Sequence, residues 1–144
     1  MLDSRVRAAA NWIESHQNSD NGWGETCSSY ADPTLRGRGQ STPSQTAWAI
    51  IGLIAAGRSS GESAKRGVRF LLSNQNSDGT WTEPFFTGTG FPGYGSGERR
   101  FTSLNTQNHE LMPNELPTGF MIKYHMYRIY WPMIALARYR SELG

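Results

Sequence analysis

Cys27 is the sole cysteine among 144 residues. No internal disulfide can form, and a cysteine-rich zinc cage is excluded. That usage fits a reducing compartment. Long apolar runs are also missing: the longest, Ala47 to Ala56, has ten residues, about half of what spans a bilayer. Membrane association is therefore expected to be monotopic. No apolar signal core follows the first charges, which argues against a secretory leader. Charged residues make up only 18%, with a net charge of +2. The arginines are scattered, so no nucleic-acid partner is expected. Arg99-Arg100 and Arg138/Arg140 read as solvated surface rather than as a patch for anionic lipid.

Clustered chemistry is equally scarce. His16, His109, His125 and Cys27 share no ligand spacing, so no metal site is expected. The four aspartates, Asp3, Asp20, Asp32 and Asp78, are isolated and lie mostly in turn sequences, which gives them structural roles. No GxSxG elbow is present. Gly88-Thr89-Gly90-Phe91-Pro92-Gly93 matches GxGxxG by letter. Pro92 interrupts it, no β-branched strand precedes it and no helix opens at Gly93, so it is not a nucleotide signal. It reads instead as backbone that turns sharply and approaches something closely.

What the chain does have is glycine (16 residues), aromatic rings (12%) and a repeat. Arg66 to Trp81 runs from an apolar helical stripe into Gln75, an Asn/Ser/Asp/Gly turn and Trp81. Arg7 to Trp23 is an imperfect copy, and Gln17 to Gln75 and Trp23 to Trp81 are each 58 residues apart. A fixed period of this kind signals stacked supersecondary units. The length is that of one domain with a modest core.

Residues 4–16 read as a helix capped by Asp3 or Ser4, with Val6, Ala10 and Ile13 as its stripe. Asn18 to Gly22 ends it, Asn and Gly both tolerating the left-handed exit. Residues 24–42 read as loop. Thr42 and Pro43 then form a strong helix start. The helix to about Ala56 is apolar nearly all round, hence buried on every side, and Gly57 stops it. Residues 62–74 make a second amphipathic helix, with Ala64, Val68, Leu71 and Leu72 as its stripe. Amphipathic and apolar helices thus alternate, as an outer and an inner layer would.

Residues 82–119 read as loop. Phe120, Ile122, Tyr124 and Met126 alternate as a short extended segment does. Trp131 is pushed away from helical geometry by Pro132, which opens a last helix from Met133 to about Leu143. Pro43 to Pro132 is 89 residues, so the second unit carries 31 extra, all in its loop. Two such hairpins cannot close a toroid. The chain reads as a piece of something larger.

Phe85, Phe86, Phe91, Tyr94, Phe120, Tyr124, Tyr127, Tyr130 and Trp131 concentrate at the second unit. Each ring alone reads as core packing. As a set lining a cavity, their π faces could stabilise a carbocation without reacting with it, in an apolar site that excludes water.

Arg66-Gly67-x-x-Phe70-Leu71-x-x-x-Gln75-x-x-x-Gly79-x-Trp81 resembles a complete QW motif of the triterpene cyclases. The first copy departs by placing Asn21 where the motif has glycine. Gly22-Trp23-Gly24-Glu25-x-Cys27-x-Ser29-Tyr30, Ser41 to Ala49, Gly88 to Gly93, and Tyr124-x-Met126-Tyr127-Arg128 followed by Trp131-Pro132 resemble squalene–hopene cyclases. The resemblance covers nearly the whole chain, and the Thr-Pro-Ser-Gln form is similar to bacterial, hopene-type enzymes.

The resemblance implies an all-α fold over residues 1–144, part of an (α/α) barrel. Its QW repeats lie near 7–23 and 66–81, an inserted loop lies near 94–118, and a short extended segment lies near 120–126. It implies an enzyme that cyclises squalene with no metal or organic cofactor. An Asp-x-Asp-Asp acid protonates the substrate, and aromatic rings stabilise the cations. That acid motif is absent, so the chain reads as a C-terminal segment that is inactive alone and has no catalytic residue of its own.

By motif match, Phe91 and Phe120 would stabilise cations, Tyr124 and Tyr127 would support the aromatic wall, and Ile122 would shape it. Trp23 and Tyr30 would lie near the protonation end, with Tyr30 in the acid's hydrogen-bond network. Gln17, Trp23, Gln75, Gly79 and Trp81 would be scaffold. Implied partners are squalene, the rest of the cyclase chain, a membrane surface on the cytoplasmic side of a bacterial membrane, and a second copy in a homodimer. Two other readings stay open: another class II cyclase, making tetrahymanol or using a shorter isoprenoid, and a non-catalytic helical-toroid module binding lipid or protein. Protein prenyltransferase subunits share the toroid, but their Asp/Cys/His zinc set is missing.

Overall fold

The computed structural model describes residues 3–95, 97 and 116–144. In chain order the elements are α1 (Ser4–Ser15), two short 3-10 turns (Cys27–Tyr30 and Pro33–Leu35), α2 (Pro43–Ala55), α3 (Glu62–Ser73), β1 (Gly88–Pro92), β2 (Gly119–Ile122) and α4 (Tyr127–Glu142). The described residues are mostly helical, with a two-stranded antiparallel sheet.

α2 is the hub and packs against α1, α3 and α4. Its start leaves no backbone donor unpaired. Pro43 has none, Ser44 N donates to Glu83 Oε2 at 3.0 Å and Gln45 N to Thr42 Oγ1 at 3.2 Å. Thr46 N donates to Thr42 O at 3.0 Å. A side-chain cap of the Thr42 kind contributes about 1 kcal/mol. Glu83 is buried, and its other oxygen accepts from Ser44 Oγ at 2.8 Å, so its charge lies on the positive end of the helix. At the far end Gly57, with φ at +69°, makes the stop.

The core gathers Ala47, Ile50 and Leu53 of α2 with Ala10 of α1, Ala64, Phe70 and Leu71 of α3, and Ala135 and Tyr139 of α4. Small residues let the helices approach closely, and each buried large aliphatic side chain adds about 1.5–3 kcal/mol. Gly67 has the sharpest steric reason. A Cβ there would lie 2.6 Å from Trp23 Cζ3 and 3.0 Å from Ile50 Cγ1, so the mid-helix glycine seats the indole of the preceding turn.

Several expectations need correction. α2 is not buried on every side: Ile51 and Ile54 are half-buried and Ala55 is exposed, because the three helices packed on it do not surround it. Val6 and Leu72 belong to the predicted stripes but are exposed, at 40% and 56%. Phe70 and Gly67 take the buried face of α3 instead. The loop 24–42 contains the two 3-10 turns. Gly88–Pro92, read as loop, is a strand, so the all-α expectation gives way to helices plus a small sheet.

The extended segment is only Gly119–Ile122, and Tyr124 and Met126 lie past its end. Pro132 does not open the last helix. It is the sixth residue of α4, and Trp131 is helical. Ile129 N and Tyr130 N donate to Met126 O at 3.0 and 3.1 Å, and ring packing of Tyr127 and Trp131 on Trp48 holds that first turn. Those contacts outweigh the local bias before proline. The segment near 94–118 lies mostly outside the described residues, as does His109.

Candidate functional site

Each Gln/Trp turn is wired by side chains back onto its own helix. Gln17 Nε2 donates to Asn21 O and Gln75 Nε2 to Gly79 O, both at 2.9 Å. Trp23 Nε1 donates to Ile13 O at 2.7 Å and Trp81 Nε1 to Leu71 O at 2.8 Å. Asp20 Oδ1 accepts from Gly22 N and Asp78 Oδ1 from Thr80 N, each at 3.0 Å. Asn21 (φ +77°) and Gly79 (φ +84°) hold the same left-handed backbone position, which Asn tolerates better than most residues.

Past the second turn the chain makes the β1–β2 hairpin. Its register pairs Thr89 with Met121 and Phe91 with Phe120, with a bulge at Gly90 between them. A bulge breaks strand alternation and re-aims the next side chain. Thr89 is therefore buried, donating to Phe120 O at 2.9 Å, while Gly90 and Phe91 are both exposed. Phe91 and Phe120 stand opposite one another, 65% and 55% exposed. Ile122 Cδ1 and Phe120 Cδ1 lie 3.6 and 3.9 Å from where a Cβ on Gly90 would be.

Two residues beyond the hairpin, Tyr124 stacks on Tyr127 with centroids 4.8 Å apart at 25°. Tyr127 meets Tyr130, Trp131 and Trp48 edge-on. Burial among these rings, with Tyr127 adding to it, pushes the Tyr130 phenol above the usual tyrosine value. Arg128 donates to Trp81 O, tying the start of α4 to the second turn.

A cavity of about 650 Å³ opens between α1, the loop 24–42 and α2. Trp23, Tyr30 and Trp48 line it, with the Trp12–His16 stack (4.0 Å, 23°) on its outer side. Tyr30 reaches toward β1, its hydroxyl 3.4 Å from where a Cβ on Gly88 would be. The structure thus forms two groups among the predicted residues. Trp23 and Tyr30 line the cavity; Phe91, Phe120, Ile122, Tyr124 and Tyr127 form the hairpin and ring stack. Trp48 touches both. Among the described residues no cluster of His, Cys, Asp and Glu could hold a metal, and no helix is long and apolar enough to cross a membrane.

The sequence reading gives no role to Glu25, which appears there only within a motif, or to Glu83, although they too are 58 residues apart, each two places after its Trp. Glu83 caps α2. Glu25 folds the loop, accepting from Ser29 Oγ at 2.6 Å and from Gly37 N at 2.7 Å. Extending the repeat alignment past the tryptophans would have found both. Trp48, part of the apolar helix and of the Ser41 to Ala49 motif, carries no site role in the sequence reading.

The family model for the squalene-hopene cyclase C-terminal domain matches residues 1–96. Over 120 residues, 83% of this chain, the sequence is 44% identical to a squalene–hopene cyclase of Alicyclobacillus acidocaldarius, and it covers 15% of that protein. It is 38% identical to a squalene–hopene cyclase of Bradyrhizobium diazoefficiens over 96% of this chain and 17% of that protein. It is 39% identical to a dammaradiene synthase of Dryopteris crassirhizoma over 98% of this chain and 19% of that one. The chain therefore spans less than a fifth of the length of these relatives, and it belongs to the squalene–hopene cyclase C-terminal domain family.

Proposed function

We propose that this chain forms part of the aromatic wall of a triterpene cyclase cavity, in which squalene is cyclised through carbocations to hopene or hopanol. The observation that carries this is the hairpin, which sets Phe91 opposite Phe120 with the Tyr124–Tyr127 stack just beyond. A cation held over such faces gains electrostatic stabilisation, of about 2 kcal/mol or more once desolvated. Phenyl rings also offer it no lone pair to attack. Phe91 and Phe120 are assigned the cation-facing roles, Tyr124 and Tyr127 support them, and Ile122 shapes the wall. Trp23 and Tyr30 belong to the end where protonation begins.

The proton must come from elsewhere, because no Asp-x-Asp-Asp is present. The chain by itself is accordingly inactive and works within a complete (α/α) barrel, with no metal or organic cofactor. A homodimer, a membrane surface and a place on the cytoplasmic side of a bacterial membrane belong to the same reading. In the full-length enzyme Phe91→Ala should release partly cyclised products, seen by mass spectrometry of the lipid extract. Wild-type product ratios would remove Phe91 from this role, and squalene turnover by the isolated chain would overturn its inactivity.

A second reading is favoured by the 39% identity to a dammaradiene synthase: a related cyclase with a different product. Product analysis of the full-length protein separates the two.

A further inference from the structure

Trp48 stands on α2 where the cavity meets the ring stack. It lines the cavity with Trp23 and Tyr30 and lies outside the cluster of buried core residues. Its centroid is 5.8 Å from that of Tyr127 at 83° and 6.2 Å from that of Trp131 at 80°. Tyr127 stacks in turn on Tyr124. Near-perpendicular contact sets a positive ring edge against a negative face and so favours one tilt. A cation is attracted over a ring's face and not at its edge. The tilt of Tyr127 therefore decides what a cation in front of the wall meets, and Trp48 approaches Tyr127 from another helix.

Resting on the cyclase reading above, we propose that Trp48 is a positioning residue: it fixes the tilt of Tyr127 and, through the stack, of Tyr124, and so governs how far cyclisation runs. Packing alone would make Trp48 matter for stability. Positioning makes it matter for the partition between products.

The test uses the full-length enzyme with squalene, assayed well below each variant's melting temperature, with products resolved by gas chromatography and mass spectrometry. Trp48→Ala should raise the ratio of partly to fully cyclised products by about fivefold, equivalent to about 1 kcal/mol in the competing barriers. Trp48→Phe, which restores a ring, should return the ratio to within about twofold of wild type. A Trp48→Ala enzyme with the wild-type ratio and only a lower melting temperature would overturn the proposal. Should Trp48→Ala fail to fold, Trp48→Leu replaces it: a shift with Leu but not Phe supports positioning, and equal ratios overturn it. If the wild-type enzyme leaves squalene unchanged, the cyclase reading itself fails and takes the positioning role with it.

Discussion

In the first Gln/Trp turn the Gln17 amide is saturated. Beyond its bond to Asn21 O it donates to Ser63 O at 3.0 Å, and its oxygen accepts from Arg66 Nε at 3.0 Å and Nη2 at 2.6 Å. These partners lie in the first turns of α3, so Gln17 joins the exit of α1 to the start of the next amphipathic helix. The Gln75 side chain donates to Gly79 O, is exposed, and has no other hydrogen-bond partner among the described residues; the Gln75 backbone bridges to Trp81 within the same turn. No third amphipathic helix follows it in the described chain. The internal wiring of a turn is therefore a property of its own sequence, while its outward bonds belong to the unit beside it. The (α/α) barrel proposed above would supply such a neighbour at Gln75.

The tryptophans give the largest test of that comparison. Trp23 is buried on Gly67 and its backbone N donates to Thr46 Oγ1 at 3.0 Å. Trp81 is 1% exposed. Both serve the inner wiring, so Trp23→Ala and Trp81→Ala should each cost about 3–5 kcal/mol, the usual range for a buried aromatic. Chemical denaturation of the two variants measures this. A small loss at either one alone would mean that the turns are not equivalent inside.

The glutamines should separate where the tryptophans agree. Gln17→Ala strands three groups, Arg66 and two carbonyls, and at about 1 kcal/mol for each it should cost about 3 kcal/mol. Gln75→Ala should cost less than about 1 kcal/mol in this chain. Equal losses by denaturation would show that a further element already sits on the second turn. In the full-length protein, a larger Gln75 loss than in this chain would mark the neighbour's arrival.

Much of this was legible in the residues, and the failures have specific causes. The repeat placed α1, α2 and α3 within a residue or two, because caps and periodicity are local and Thr42-Pro43 and Gly57 are strong signals. The strand Gly88–Pro92 was hidden because three of its five residues are glycine or proline and its pairing partner lies some thirty residues away. The start of α4 escapes proline's local penalty because Trp48, 83 residues before Trp131, holds the added turn. For the site, residue types and motifs could nominate Phe91 and Phe120. Only the bulge at Gly90, a register property, explains how they come to face one another. The role of Trp48 was invisible for the same reason: it depends on a contact between distant helices.

The aspartates of the two turns provide the finest comparison. Asp20 Oδ1 accepts from Gly22 N and from Ser41 Oγ at 2.7 Å, so it reaches out to the segment before α2. Among the described residues Asp78 Oδ1 accepts only locally, from Thr80 Oγ1 at 2.7 Å and Thr80 N. The Thr80 hydroxyl, then its backbone N–H, holds the Asp78 carboxyl below the usual aspartate value, with Arg128 adding a smaller pull. A carboxylate whose pKa is lowered by folding stabilises the fold fully above its unfolded value of about 3.9, and that contribution is lost as the pH falls through the folded value. Because Asp78 is exposed, water screens most of the energy, and the effect is confined to acid below about pH 4. Thr80→Val removes the principal donor while leaving the backbone bond and Arg128. The Asp78 carboxyl, followed by NMR titration, should then move up toward the ordinary value, and the acid limb of unfolding should flatten slightly. An unmoved Asp78 would transfer the cause from the Thr80 hydroxyl to what the variant leaves in place, the Thr80 backbone N–H first and Arg128 after it.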